Sequence, residues 1–341
     1  MRCAANPVAD LSPIARLTEL LLVDCSSTPI ADLAPVAGLT LLQSLYCWGT
    51  QVAELAPVSS LTNLEWLTLS QTRVSNLAPV ASLTRLKALS FAGTKIADLA
   101  PVAGLAKLQS LNCADTEVAD LTPVASLPNL DLLICAGTKV ADLSPIARLS
   151  NLNFLDCSRT PIADLTPVAG LINMNFLDCA QTQVADLTPL AGLTRLESLD
   201  CSGTQIADLA PVSALTELRL LDVRQTRVRR LPHSLGNLRS LEDVSKLGNL
   251  MGIAQGLRLE ENKLEDPLPR LIAAGQPAAT RQVLSWLRGE LDPASLPDPA
   301  PTDAPAICSV NYPILGHTTQ LGSGHKRGKW RDLEWKGSKN A

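Results

Sequence analysis

The sequence predicts an α/β solenoid, a right-handed coil with a parallel sheet on its concave face and short 3₁₀ or α turns on its convex side. Three observations predict it. Thr28, Thr50, Thr72, Thr94, Thr116, Thr138, Thr160, Thr182, Thr204 and Thr226 stand 22 residues apart without a slip, which marks stacked structural repeats. Within each period an alternating apolar stretch gives way to wider apolar spacing, so each unit holds one strand and one return turn. Aromatic residues are 3% of the chain against 46% hydrophobic residues overall, so the core is made of Leu, Val and Ala. A narrow stack of small coils needs that composition.

The unit from Leu108 to Leu127 shows the plan. Leu108 opens it, and Leu111 and Cys113 face inward on either side of Asn112. Val118, Leu121, Val124 and Leu127 continue inward after the turn. The pattern is L-x-x-L-x-(C/L)-x-x-T-x-V-x-D-L-x-P-V-x-x-L. It resembles the leucine-rich repeat family, with Thr where that family usually has Asn. Among its subtypes it is most similar to the 22-residue repeats of bacterial internalins, whose D-(I/L)-x-P-L-x-x-L second half is matched by Asp142 to Leu149. The resemblance covers residues 1–231, and it implies a fold more strongly than a function.

Each column of the repeat has a physical reason. The ladder column, Asn6, Thr28 through Thr226 and then Asn262, turns inward where the strand ends. A Thr hydroxyl can donate to one carbonyl and accept from one amide, whereas Asn offers two donors and an acceptor. The Thr ladder is therefore expected to satisfy fewer buried backbone groups. The Pro column, Pro13 to Pro211, suits the first position of a short helical turn, where a missing N–H costs nothing. The Asp column, with Glu54 and Asn76 in phase, lies three residues before each Pro. It reads as a local cap for turn amides rather than a cation-binding stripe. Eight of the nine cysteines share one slot with Leu69, Phe91 and Val223, so they read as buried core residues of a reducing compartment. No zinc-type spacing accompanies them, and neither a metal nor a cofactor is expected.

At its start the chain places Met1 and Cys3 in the two inward strand slots of the first unit, without a polar cap. The expectation is an upstream continuation, a fragment, or an edge covered by a partner or by self-association. Residues 232–265 are divergent and last repeats, beginning with Leu231-Pro232-His233-Ser234-Leu235-Gly236-Asn237-Leu238. Residues 266–291 read as a helical C-terminal cap opened in part by Pro277. This end is similar to the last repeat and following helices of bacterial Roco proteins, but the chain has no phosphate-binding G-x-x-x-x-G-K-(S/T) loop. Residues 292–341 are Pro-rich and are expected to be a disordered tail, with a basic run at His325 to Arg331.

The outward strand positions form two columns on the concave face. One runs Asp24, Tyr46, Thr68, Ser90, Asn112, Ile134, Asp156, Asp178, Asp200, Asp222. The other runs Leu22, Ser44, Trp66, Ala88, Ser110, Leu132, Phe154, Phe176, Ser198, Leu220. Tyr46, Trp48 and Trp66 cluster toward the N-terminus, and Phe154 and Phe176 lie beside Asp156, Asp178, Asp200 and Asp222. Rings on a solvent face read as interface anchors, with self-packing between strands as the alternative. The Asp run is first a common repeat filler; if functional, it attracts a basic partner or a cation, with Arg219, Arg224 and Arg227 neutralising its end. The function expected is a non-catalytic, cytoplasmic scaffold that binds a protein partner on the concave face. Alternatives are the regulatory arm of a truncated Roco-like GTPase and an exported internalin-like or effector protein. A net charge of -4, no apolar leader and no long apolar span give no reason to expect a nucleic-acid or membrane partner. The three histidines stand with no candidate nucleophile or metal cluster, so no catalytic site is expected.

Overall fold

The structure, a computed structural model, describes residues 1–241, 256–259, 262–265, 268, 271 and 278–293. The 22-residue period becomes a stack of coils, each giving three residues to one sheet. The strands are β1 (Leu22–Asp24), β2 (Ser44–Tyr46), β3 (Trp66–Thr68), β4 (Ala88–Ser90), β5 (Ser110–Asn112) and β6 (Leu132–Ile134). They continue as β7 (Phe154–Asp156), β8 (Phe176–Asp178), β9 (Ser198–Asp200), β10 (Leu220–Asp222) and β11 (Gly256–Arg258). All eleven lie in chain order in one parallel sheet. Thus the chain is a leucine-rich repeat solenoid. From β1 to β10 every residue pairs with its counterpart one period away, as Leu89 with Leu111 and Leu155 with Leu177. The middle residue of each strand points into a continuous core of Leu, Val, Ile and Cys.

The return side of each regular unit is a 3₁₀ turn, from Ser12–Ile14 to Ala210–Ala214. Proline occupies the second residue of each turn rather than the first. A 3₁₀ turn leaves its early amides without internal partners, so Pro is tolerated there as well. The Asp column supplies the missing acceptor by the local bond expected of it. The Oδ1 of Asp10, Asp32, Asp98, Asp120, Asp142, Asp164, Asp186 and Asp208 accepts the N–H two residues on, at 2.7–2.8 Å. Asn76 does the same for Ala78. Bonds from Thr122, its side chain first and then its amide, hold the exposed Asp120 carboxyl below the usual range.

The Thr ladder works within each unit. Thr28 Oγ1 donates to the Cys25 carbonyl at 2.6 Å, and Thr116 Oγ1 to that of Cys113 at 2.6 Å. Asn262 does what these hydroxyls do not. Its Nδ2 donates to the Val223 carbonyl at 2.8 Å and its Oδ1 accepts the Thr226 N–H at 2.7 Å, tying two units together. Asn6 departs from the ladder reading. It is exposed, and its side-chain amide donates to the Ala4 carbonyl at 3.3 Å. Met1, expected to face inward, is 43% exposed. Cys3, Leu11 and Ile14 of the same coil do join the core. That coil still joins the sheet, with the Cys3 N–H donating to the Asp24 carbonyl at 2.8 Å.

The cysteines are core residues, and their thiols also reach the adjacent coil. Cys113 Sγ donates to the Ile134 carbonyl and Cys157 Sγ to that of Asp178, each at 3.3 Å. Burial pushes the Cys113 thiol up to about 12. Cys308 lies outside the described residues, as do the Pro-rich segment beyond residue 293 and its basic run.

One backbone feature escapes the hydrophobic pattern. The residue before each ladder position has positive φ, and the turn accepts Gly49, Gly93, Gly137 and Gly203 there, but also Ser27, Gln71, Asp115, Arg159, Gln181 and Gln225. Across Gly137, Arg159 Nη1 reaches Asp115 Oδ1 at 2.8 Å, an ion pair between coils two apart. It is open only because Gly137 has no Cβ; one built there would lie 2.3 Å from Asp115 Oδ1 and 3.1 Å from Arg159 Nη1. At the far end, helix α1 (Ala278–Leu287) packs on the 3₁₀ turn His233–Asn237 and buries Val283, Leu284 and Leu287 in the core.

Gly137→Ala is expected to lower stability by about 1–2 kcal/mol, because it puts a side chain in the left-handed region and parts the ion pair; urea unfolding measures it. Cys25, Cys47, Cys113, Cys135, Cys157, Cys179 and Cys201, all 0% exposed, should react with a thiol reagent only as fast as the chain unfolds. Labelling rates with and without denaturant test this.

Candidate binding face

The short strands leave their first and third residues on the concave face, and parallel pairing sets like beside like. The resulting columns are less exposed than the alternation suggests. Tyr46, Trp48, Trp66, Phe154 and Phe176 are all half-buried. Phe154 and Phe176, opposite each other on β7 and β8, stack with ring centroids 4.1 Å apart and planes 2° from parallel. Phe154 also leans on a small apolar cluster of Ala114, Leu132, Ile134 and Ala136. Trp66 carries the Lys87 ammonium 5.3 Å from its ring centroid, and Lys87 Nζ also bonds Glu65 at 2.6 Å. Self-packing between strands is therefore part of what these rings do.

The Asp run has a backbone task. Oδ1 of Asp156, Asp178, Asp200 and Asp222 accepts the N–H two residues on, from Ser158, Ala180, Ser202 and Arg224, at 2.9–3.1 Å. Asp24 and Asn112 occupy the same column and serve Ser26 and Ala114 likewise. The column caps the turn that leaves each strand. Stacking the caps has an electrostatic cost. Burial first, then the neighbouring Asp156 and Asp200, push the Asp178 carboxyl well up. Burial and then Asp222 push Asp200 up to about 6. Asp156 is raised by burial and partly held down by its Ser158 bonds.

The flanking arginines divide. Arg224 grips Asp222 through Nε at 2.9 Å and Nη2 at 2.7 Å, and Arg258 Nη1 stands 3.7 Å away. Arg219 instead faces Glu197, with its Nε 3.6 Å from Oε2, because residue 219 precedes the strand and lies off the Asp column. Arg227 lies past the ladder turn, on the flank of the coil. Among the described residues, no group of three or more His, Cys, Asp or Glu side chains could hold a metal ion. No helix among them is long and apolar enough to cross a membrane.

No family model matches the chain, and no curated protein matches its sequence. Solved structures do. An internalin (InlF) of Listeria monocytogenes superposes with a TM-score of 0.65 at 25% identity, over 78% of this chain and 81% of that one. Internalin C2 of Listeria monocytogenes matches at 30% identity with a TM-score of 0.53, over 53% of this chain and 80% of that one. The functional domain of InlJ from the same organism, described as including a cysteine ladder, matches at 22% identity with a TM-score of 0.50, over 73% of this chain and 65% of that one.

The raised carboxyls predict a pH effect with a definite sign. A carboxyl whose folded pKa exceeds its unfolded value of about 3.9 adds stability below that value and loses it as pH rises through the folded pKa. The melting temperature should therefore fall between about pH 4 and the pH near 6 at which Asp200 titrates. Asp178→Asn should raise the melting temperature at pH 7.5 and flatten the profile, since Asn112 already caps this turn at 3.0 Å without a charge. Thermal melts from pH 4 to 8 measure both.

Proposed function

Because the chain belongs to the leucine-rich repeat proteins and has internalin-like units, we propose that it is a non-catalytic scaffold that binds a protein partner on its concave face. The observation that carries this reading is the Phe154–Phe176 pair. Two rings, stacked and half-exposed, make a rigid apolar plate beside the Ala114–Leu132–Ile134–Ala136 cluster. Rigid aromatic surface loses little side-chain entropy on association and fills a partner's pocket well. Tyr46, Trp48 and Trp66 form a second half-exposed group at the other end of the face. The Asp column, which runs alongside the plate from Asp156 and on to Asp222, favours a partner with basic residues there and disfavours nucleic-acid phosphates. A regulatory arm of a GTPase and an exported effector are the alternative uses of the same face.

The repeat itself supplies variants that leave the fold alone. Ala88 occupies the column of Trp66, and Ser110 and Ser198 that of the two phenylalanines. A Trp66→Ala, Phe154→Ala double variant should keep its circular dichroism spectrum and melt within a few degrees of the parent, yet lose the proteins that the parent chain captures from its native lysate. Identical capture by both chains would refute a concave-face site.

A further inference from the structure

The ten regular coils are near-copies, so a residue that departs from its column stands out. The departures gather in the coil that carries β10. At the position three past the ladder threonine, the nine earlier units hold eight alanines and Ser75; here it is Arg229. At the next position they hold Asp, Glu54 or Asn76; here it is Arg230. At the position two before the ladder threonine they hold Ser, Ala or Trp48; here it is Arg224. Pro232 has no N–H, so the residue at position 230 has no turn amide to cap and Arg230 pairs with Glu265 instead, while Arg229 puts a long cation where eight of the other coils carry only a methyl.

The same coil is where the stack loses its period. Leu220 of β10 pairs with Gly256 of β11, not with a residue 22 later, and Asn262 bridges back to Thr226. A half-open cavity of about 540 Å³ lies at this junction, lined by Gln225, Thr226, Arg227, Arg229 and Lys263. Its frame is held by the backbone. The Arg227 N–H donates to the Ile206 carbonyl at 2.8 Å, and the Arg229 carbonyl accepts the Glu265 N–H at 3.0 Å. Two neighbouring cations are spent, Arg224 on Asp222 and Arg230 on Glu265. Among the described residues, no carboxylate pairs with Arg227, Arg229 or Lys263. Three like charges around one concavity repel one another, and a concave wall focuses their field on whatever enters.

We propose that this cavity is a binding site for a small polyanion bearing phosphate groups, separate from the concave face. Two arginines offer planar forks that match phosphate oxygens, and Lys263 offers a third charge on the same lining. A volume of about 540 Å³ exceeds one phosphate and suits a compact ligand with two or more anionic groups. The ligand would relieve the repulsion among the three cations and brace the junction between the regular array and β11.

The test titrates inorganic pyrophosphate into the full chain at constant ionic strength, read by calorimetry and by melting temperature. The expected result is one saturable site and a rise in melting temperature. An Arg227→Gln, Arg229→Ala double variant restores residues that other units carry at the same positions, Gln205 and Ala207 in the preceding one. It should bind pyrophosphate at least about tenfold more weakly, and melt no lower than the parent without ligand. Lys139→Gln, which removes one positive charge beside Glu117 on another coil as Arg229→Ala alone does here, should leave binding as it is. If the double variant fails to fold, Arg229→Ala alone is read by the same criterion. Equal affinity in parent and variant, an equal loss with Lys139→Gln, or no saturable binding at millimolar pyrophosphate would overturn the proposal.

Discussion

A coil of 22 residues has two open sides and cannot cover its own Leu and Val side chains, so each coil is folded only as far as its neighbours complete it. That constraint governs everything else. It demands that each coil present the same backbone to the next, which is why the register from β1 to β10 never shifts. It also asks that inward groups be apolar or hydrogen-bonded, because a buried polar group without a partner costs free energy. The Thr hydroxyls, the cysteine thiols and the turn-capping carboxylates are three answers to that second demand.

These answers shape the outer surface as well as the core. A carboxylate that caps the end of a strand is copied into the next coil by the same backbone need, so Asp156, Asp178, Asp200 and Asp222 come to lie in a row. The row looks like a site but is first a consequence of turn chemistry, and its carboxyls are raised by burial first and then by the like charges brought together. The rings have no such duty. Tyr46, Trp66, Phe154 and Phe176 sit in columns where Ser, Thr, Ala or Asp serve other coils equally well, and this freedom is what makes them informative about binding.

Function in a repetitive fold is most visible where the repetition fails. The coil of β10 replaces its Asp and alanine columns with arginines together, and it does so at the junction where the next strand arrives late. A change that the stack does not require, at a place where the stack is already interrupted, leaves room for a ligand that the regular coils could not hold.

The solenoid, its 22-residue register, the inward columns and the caps before each proline were legible in the sequence, because each depends on a spacing that local backbone geometry repeats. The Asn262 bridge was legible in part, since the extra donors of Asn over Thr follow from the side chain alone. What only the tertiary structure decided involves neighbours at unequal distances. Asn6 and Met1 are exposed although Cys3 of the same coil takes its inward slot. Arg219, which precedes its strand and lies off the Asp column, turned to Glu197 one coil away, while Arg224 took Asp222 of its own coil. The Phe154–Phe176 stack, the Asp115–Arg159 pair across Gly137 and the cavity at the broken period each join side chains on different coils. Periodicity specifies which column a residue joins; how two long side chains in adjacent columns share the space is set by packing, and packing exists only once the coils are stacked.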